Sequence, residues 1–276
     1  MRAQRAITVV GCHADGEVGN VVVGGVLPPP GETVFEQMQA LARDDSPRRL
    51  LLREPRGSVA QHANLVVPLT REDCDAGFII MEPTEYPAMS GSNTICVATV
   101  LLETGMVEMR EPETTLRLEA PAGLVEVAAR CRAGRCKSVE LTNVPSFAHR
   151  LDAPLEVEGL GTLSVDVTFG GMWYAIADAR ALGFAIEPDE ARELCEAGER
   201  IPSPPASSSS ACIRRTRRSP ASASCRSQSR GRAWVASRET RSSSRRAAST
   251  VPRPAPASRP GWRRFTREAR CAPATA

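Results

Sequence analysis

MSGSNTICVATVLLETGM, residues 89–106, decides the reading of the whole chain. A short polar run, Ser-Gly-Ser-Asn-Thr, leads straight into an apolar helical pattern that Gly105 ends. The spacing predicts a helix over 91–105, with Ile95, Val97, Val100 and Leu101 fixing it in a core. Ser90 or Ser92 stands where an N-cap is wanted. The first backbone N–H groups of a helix have no partner within it, and the dipole behind them favours an anion such as a carboxylate. Gly91 lets a ligand come close to the backbone. Spacing alone leaves two readings of Ser90. It is a plain cap, the commoner use of serine before an apolar run, or it is a hydroxyl placed to exchange a proton with a bound anion.

Outward from this helix the first 201 residues are rich in strands. RAITVVGC, GNVVVGGVL, HANLVVPL, AGFIIME, TTLRLEA, GLVEVAARC, CKSVELTNV, GTLSVDVTF and MWYAIADA are short β-branched and apolar runs. Each is bounded by Gly, Pro, Asp or Asn, as strands are. Helical patterns are fewer. GETVFEQMQALARDD sets Val34, Met38 and Leu41 on one face with Phe35 beside them, and EPDEARELCEAGERI opens with acids that suit a helix N-terminus. Many strands with few helices predict an α+β fold, not a parallel βαβ series.

Composition narrows the function classes. Nothing resembles a signal peptide, and no window reaches the ~18 to 20 apolar residues of a membrane span, so no membrane partner is expected. The nine cysteines are odd in number and hold no CxxC pair, which suggests neither a disulfide framework nor a metal site. In CRAGRC, Cys131 and Cys136 read as strand ends flanking a turn. A reducing cytoplasm is the default compartment. The formal charge of +3 hides a split, because residues 202–276 hold 17 Arg, no Lys and two acids, which leaves the first 201 residues acidic. The same 75 residues hold 16 Ser and only four residues from Val, Ile, Leu, Met and Phe. Such a segment cannot bury enough apolar surface to offset chain entropy and is expected to be disordered. It has no RGG repeats, basic-helix periodicity or regularly spaced aromatics, so no nucleic-acid partner is expected either.

MSGSNTICVATVLLETGM resembles the M-C-G-H-N-x-I segment of the proline racemase family, which includes hydroxyproline 2-epimerases and trans-3-hydroxy-L-proline dehydratases. GCHADGEVGNVVVGGV, EPRGS, LEAPAGLVEV and FGGMWYAIADA agree with it in order, so the resemblance runs over about residues 5 to 201. It implies a diaminopimelate-epimerase-like fold, two similar domains that each wrap strands around a central helix. By this reading residues 1–155 are the N-terminal catalytic domain, 156–201 begin a second and incomplete domain, and 202–276 are an aberrant tail. The resemblance also implies a small-molecule substrate, hydroxyproline, held between two helix N-termini without any cofactor or metal. A homodimer is an admissible assembly.

In racemases of this family a cysteine from each domain flanks the substrate α-carbon. Here the first cysteine position is Ser90 and the following histidine position is Ser92. A hydroxyl is a far weaker base than a thiol, so two-face proton transfer looks impaired. Dehydration of trans-3-hydroxy-L-proline to Δ1-pyrroline-2-carboxylate is therefore the first expectation, with 4-hydroxyproline 2-epimerase or proline racemase activity as the alternative. By carry-over, Ser90 accepts the α-proton, while Gly91 and Ser92 bind substrate. Other polar residues weigh less. His13 matches a family segment near the site but is a lone histidine. His62 and His149 sit by strand ends as structural or solvent-facing residues. Asp15 and Glu17 suit a carboxylate pair or a turn equally, Cys96 is a core residue, and Gly170 and Gly171 permit a tight backbone approach.

The family's second catalytic segment, similar to S-P-C-G-T-G-T, is absent. From about residue 202 the chain reads as the gene in a shifted frame. If the third base of each codon is joined to the next two, the codons of Cys212 to Gln228 (CIRRTRRSPASASCRSQ) can spell HPENPEIAGVCIVQI, and TVPRPAPA (250–257) can spell R-S-P-[S/T]-G-T-G. The Arg253–Pro254 codons make the bracketed codon NCC, which encodes Ser, Thr, Ala or Pro and never Cys. Nucleic-acid binding through the Arg-rich tail and an inactive remnant are the readings outside the enzyme class.

Overall fold

A helix that is apolar on every side has to be wrapped, and one such helix organises the first part of the chain. The computed structural model describes residues 6–201 and, at backbone level, four short strands beyond them. The central helix α3 is Gly91–Glu103, and every residue from Ser92 to Leu102 is buried. Around it run β1 (Thr8–Val10), β2 (Cys12–Ala14), β3 (Glu17–Gly24), β4 (Gln61–Val67), β5 (Ala76–Met81), β6 (Glu113–Ala120), β7 (Gly123–Arg132) and β8 (Arg135–Thr142). Their order in the sheet is β8-β7-β6-β5-β4-β3-β2, with β1 on β3. Strands from both ends of this order, β2 and β3 as well as β7 and β8, pack on α3, so the sheet curls around the helix.

Strand alternation decides what faces the helix. On β4, Ala63, Leu65 and Val67 join Ile79 and Met81 of β5 against an outer layer of two helices, α1 (Val34–Arg43) and α2 (Ser46–Leu52). The other parity of β4 carries Asn64, which meets α3. β5 is covered on both faces and all six of its residues are buried, which is why it reads as an unbroken apolar run. α1 starts with a capping box in which the Thr33 hydroxyl accepts from the Glu36 N–H and the Glu36 carboxylate accepts from the Thr33 N–H. Val34, Met38 and Leu41 are buried as expected, while Phe35 is 38% exposed. Cys131 and Cys136 pair across β7 and β8, and the turn between them has positive φ at Ala133 and Gly134.

The approach to α3 is pinned from two sides. Arg48 on α2 makes a two-point ion pair with Asp45, donates to the carbonyls of Glu82 and Pro83, and lies over the Tyr86 ring at 5.3 Å. Tyr86 donates to Asp45 at 2.8 Å. From the other side, the Ala122 N–H in the β6–β7 turn donates to the Ala88 carbonyl at 2.9 Å.

The second unit begins at Pro145, earlier than residue 155, because Phe147–Val157 is one continuous strand, β9. β10 (Gly161–Phe169) pairs antiparallel with β9 and with β11 (Trp173–Asp178). Helix α4 (Ala191–Arg200) adds Leu194 and Ala197 to a core with Val165, Ala175 and Ala177. β12 (Ser209–Arg214) runs parallel to β11, and β13 (Ala233–Ala236) runs parallel to β12. The last two strands, β14 (Arg264–Arg267) and β15 (Ala269–Cys271), pair with β8 and β2 in the first unit. The fold is α+β, with the strand-wrapped helix complete in the first unit and its counterpart incomplete in the second. The expectation of disorder over 202–276 falls, those strands apart, outside the described residues.

Two measurements check this packing. Leu101→Ala should cost about 2–5 kcal/mol in urea unfolding and Phe35→Ala about 1 kcal/mol or less, because Leu101 is 1% exposed and cannot collapse its cavity into solvent. The Arg48 guanidinium holds the Asp45 carboxyl below its ordinary value near 3.8. A depressed folded pKa gives stability that is present above the unfolded value and lost as pH falls through the folded one. Below about pH 4 the wild type should therefore lose stability that Asp45→Asn, already lacking the pair, does not lose. An identical acid slope in both proteins would refute the pin.

Candidate active site

The first turn of α3 is the polar end of a buried apolar helix. Ser90 takes the N-cap position with extended backbone (φ −147°, ψ 129°), yet its hydroxyl caps no backbone N–H. The Ser90 carbonyl does the local work, accepting from the Thr94 N–H at 3.0 Å and from the Thr94 hydroxyl at 2.7 Å. That leaves the Ser90 Oγ for side-chain partners. It lies 3.2 Å from Ser92 Oγ and accepts from Asn93 Nδ2 at 3.0 Å. The plain-cap reading of Ser90 therefore fails for its side chain. The Gly91, Ser92 and Asn93 N–H groups are the orphan donors of this turn by helix geometry.

Ser90 and Gly91 are half-buried, and Ser92 is buried. A Cβ added at Gly91 would meet nothing closer than Leu141 Cδ2 at 3.8 Å, an ordinary contact. Protein packing does not demand glycine there, so the open space beside the backbone is available to a ligand.

Behind Ser90, Gly91 and Ser92 lies a layer of which the sequence reading named only His62, as a structural or solvent-facing residue. His62 and Asn64 stand two apart on β4 and share its inner face. His62 Nδ1 is 3.2 Å from Asn93 Nδ2, and Asn64 Nδ2 donates to Asn93 Oδ1 at 2.8 Å. His62 is therefore part of the serine network and not a bystander at a strand end. The signal was in the sequence, since His62 and Asn64 break the apolar alternation of HANLVV on one parity only. Glu17 on β3 reaches toward the same imidazole, with Oε1 3.7 Å from Nδ1.

The remaining candidates are elsewhere. His13 Nδ1 accepts from the Gly16 N–H at 3.2 Å and braces the β2–β3 turn, in which Asp15 and Gly16 both have positive φ. Asp15 is thus a turn residue. Cys96 is fully buried. Gly170 and Gly171 form the β10–β11 turn, and His149 packs edge-on to Trp173. A cavity of about 460 Å³ lined by Ile7, Val9, Asn20 and Ala63 among others opens on the opposite face of β3 and β4 and does not touch the serines. Among the described residues no cluster of three or more His, Cys, Asp or Glu could hold a metal ion. No helix among them is long and apolar enough to cross a membrane.

Chemically, this arrangement can hold a carboxylate on backbone N–H groups and place one hydroxyl beside it. Ser90 Oγ has two side-chain neighbours able to donate hydrogen bonds, which stabilise negative charge on that oxygen. The proline racemase family pattern matches residues 9–215. The fold is similar to a hydroxyproline epimerase from Agrobacterium vitis, solved with bound trans-4-hydroxy-L-proline, at 47% identity and TM-score 0.66 over 72% of this chain and 59% of that one. It is also similar to a probable proline racemase from Agrobacterium radiobacter K84, solved with bound carbonate, at 45% identity and TM-score 0.65 over 70% of this chain and 58% of that one. The chain spans about three fifths of the length of these relatives.

The non-capping geometry predicts an asymmetry between two N-caps. Thr33→Ala, which breaks a true capping box, should cost about 1 kcal/mol in thermal or urea unfolding. Ser90→Ala removes no cap and should cost about 1 kcal/mol through the lost Asn93 hydrogen bond, while leaving amide exchange of the Ser92 and Asn93 N–H groups unchanged. Faster exchange of those two amides in Ser90→Ala would restore the cap reading.

Proposed function

The chain belongs to the proline racemase family, and on that premise we propose that it acts on the α-carbon of a hydroxyproline-type substrate, with Ser90 exchanging the α-proton. The observation that carries this reading is that the Ser90 hydroxyl stands at the N-terminus of the buried helix without capping it. The substrate carboxylate is received by the N–H groups of Gly91, Ser92 and Asn93 at the positive end of α3. When the α-proton leaves, the electron pair of the C–H bond delocalises into that carboxylate, and the same donors stabilise the developing charge. As its alkoxide, the hydroxyl proton having passed to water, Ser90 Oγ takes the α-proton; Asn93 Nδ2 and the Ser92 hydroxyl stabilise that alkoxide, and inversion is completed by a proton delivered from water to the opposite face.

Epimerisation at C2 is the first reading. The similar proteins of solved structure are a hydroxyproline epimerase and a probable proline racemase, which weighs against placing the dehydratase first as the sequence reading did. Dehydration is the second reading, and Ser90 itself favours it: a hydroxyl where the family has a thiol disfavours symmetrical two-face transfer. In that case removal of the α-proton is followed by loss of the 3-hydroxyl as water. The enamine so formed tautomerises to Δ1-pyrroline-2-carboxylate.

Incubation in D2O separates the readings. An epimerase places deuterium on the α-carbon of trans-4-hydroxy-L-proline as its configuration inverts. A dehydratase converts trans-3-hydroxy-L-proline to a ketimine that o-aminobenzaldehyde traps. Low turnover is expected of the 276-residue chain and higher turnover of a version whose frame is restored after residue 201. In either, Ser90→Ala should reduce α-proton exchange by about 10²-fold or more. Exchange that survives Ser90→Ala unchanged would remove Ser90 from the chemistry.

A further inference from the structure

Asn64 and Asn93 are both fully buried, and their side chains meet between β4 and α3. A carboxamide has one accepting end and one donating end, so a partner that fixes one end fixes the other. Asn64 Nδ2 donates to Asn93 Oδ1 at 2.8 Å and to the Asn20 carbonyl at 3.4 Å. Asn64 Oδ1 has no partner. Turning that amide over would set its oxygen against two other oxygens, so the observed sense costs less. With its oxygen engaged by Asn64, Asn93 must present its NH2 group the other way, where it meets Ser90 Oγ at 3.0 Å and His62 Nδ1 at 3.2 Å.

We infer that Asn93 is the positioning residue for Ser90 and that Asn64 sets its orientation, so that His62 is held as the tautomer with its hydrogen on Nε2. The inference rests on the reading of Ser90 as the proton-transfer group and names how that group is held. Because Asn93 donates to Ser90 Oγ, the Ser90 hydroxyl hydrogen points to Ser92 Oγ, 3.2 Å away, or to substrate. A carboxamide also keeps its donors at every working pH and never competes for the transferred proton. A carboxylate in its place would do neither.

Two more residues bear on the clamp. A Cβ added at Gly19, on β3 beside His62 in the strand register, would lie 2.9 Å from Asn93 Oδ1 and 3.0 Å from Cys96 Sγ. Glycine thus lets β3 pass over the amide without pressing a side chain on it. Glu17 Oε1, 3.7 Å from His62 Nδ1, opposes the proposed tautomer, since a carboxylate there favours hydrogen on Nδ1.

Nitrogen-15 NMR of the full chain decides between them. The three histidines, His13, His62 and His149, can be read at about pH 9, above the ordinary imidazole range, with His62→Gln giving the assignment. His62 should show the Nε2–H pattern in the wild type and switch to Nδ1–H in Asn93→Asp. Gly19→Ala, which adds one methyl beside the clamp, should erode the Nε2–H preference while circular dichroism stays native. Nδ1–H in the wild type, or a His62 signal unmoved in a folded Asn93→Asp protein, overturns the inference. Asn93→Ala should also lower kcat for α-proton exchange about tenfold with KM little changed. If the tautomers behave as stated but Ser90→Ala leaves exchange intact, the placement of Asn93 stands and the proton-transfer reading of Ser90 fails.

Discussion

Burial of α3 on every side is the constraint from which the rest of the first unit follows. A helix with no solvent face cannot be covered by one flat sheet, so strands from both ends of the sheet order reach it. Side chains within the helix cannot satisfy its first-turn N–H groups when the cap hydroxyl is turned away. Four of the ten buried polar residues among those described gather at that one end: Ser92, Asn93 and Thr94 on the helix, Asn64 on β4. A buried polar cluster is costly unless it is fully paired. Here nearly every member is paired, and Asn64 Oδ1 is the one side-chain atom of the cluster without a partner.

Much of this was legible in the sequence, and the reasons differ by element. α3, β3 to β8, β10 and β11 come from strong periodic or β-branched runs, where local preference and tertiary burial agree. β9 was missed because FAHRLDAPLEV carries charges and a proline, and its first six residues are exposed. Nothing in such a stretch alternates until Ala153. α2 was missed because seven residues, SPRRLLL, are too few to show a helical period. It forms because Arg48 is tied to Asp45, to the Tyr86 ring and to the 82–83 carbonyls, tertiary contacts that no local pattern announces.

The site divides in the same way. Ser90, Gly91 and Ser92 are contiguous and sit at a recognisable helix entry, so a linear reading finds them. His62 and Asn64 lie some thirty residues earlier in the chain (|i−j| of 31 and 29 to Asn93), and they reach α3 only because β4 runs beside β3 in parallel register. Parity along β4 was the one available clue, and it separates the two polar residues from Ala63, Leu65 and Val67 cleanly. Sequence shows which residues share a strand face. It does not show which helix that face will meet.

The tail follows a different logic, because its text obeys the genetic code better than it obeys packing. Residues 207–210 and 242–244 are serine runs, a poor choice for any strand interior. Where serine is written TCN, joining the third base to the next TC gives NTC, and that codon encodes only Phe, Leu, Ile or Val. The shift that can spell HPENPEIAGVCIVQI thus also turns both serine runs into apolar, strand-forming ones. It does so without reference to any relative. β12 begins at Ser209 and lies between β11 and β13, an interior position that calls for such residues. The family match ends at residue 215, shortly after the composition changes. Ser90 and its clamp are therefore written entirely in the part of the chain where codon, local preference and burial agree.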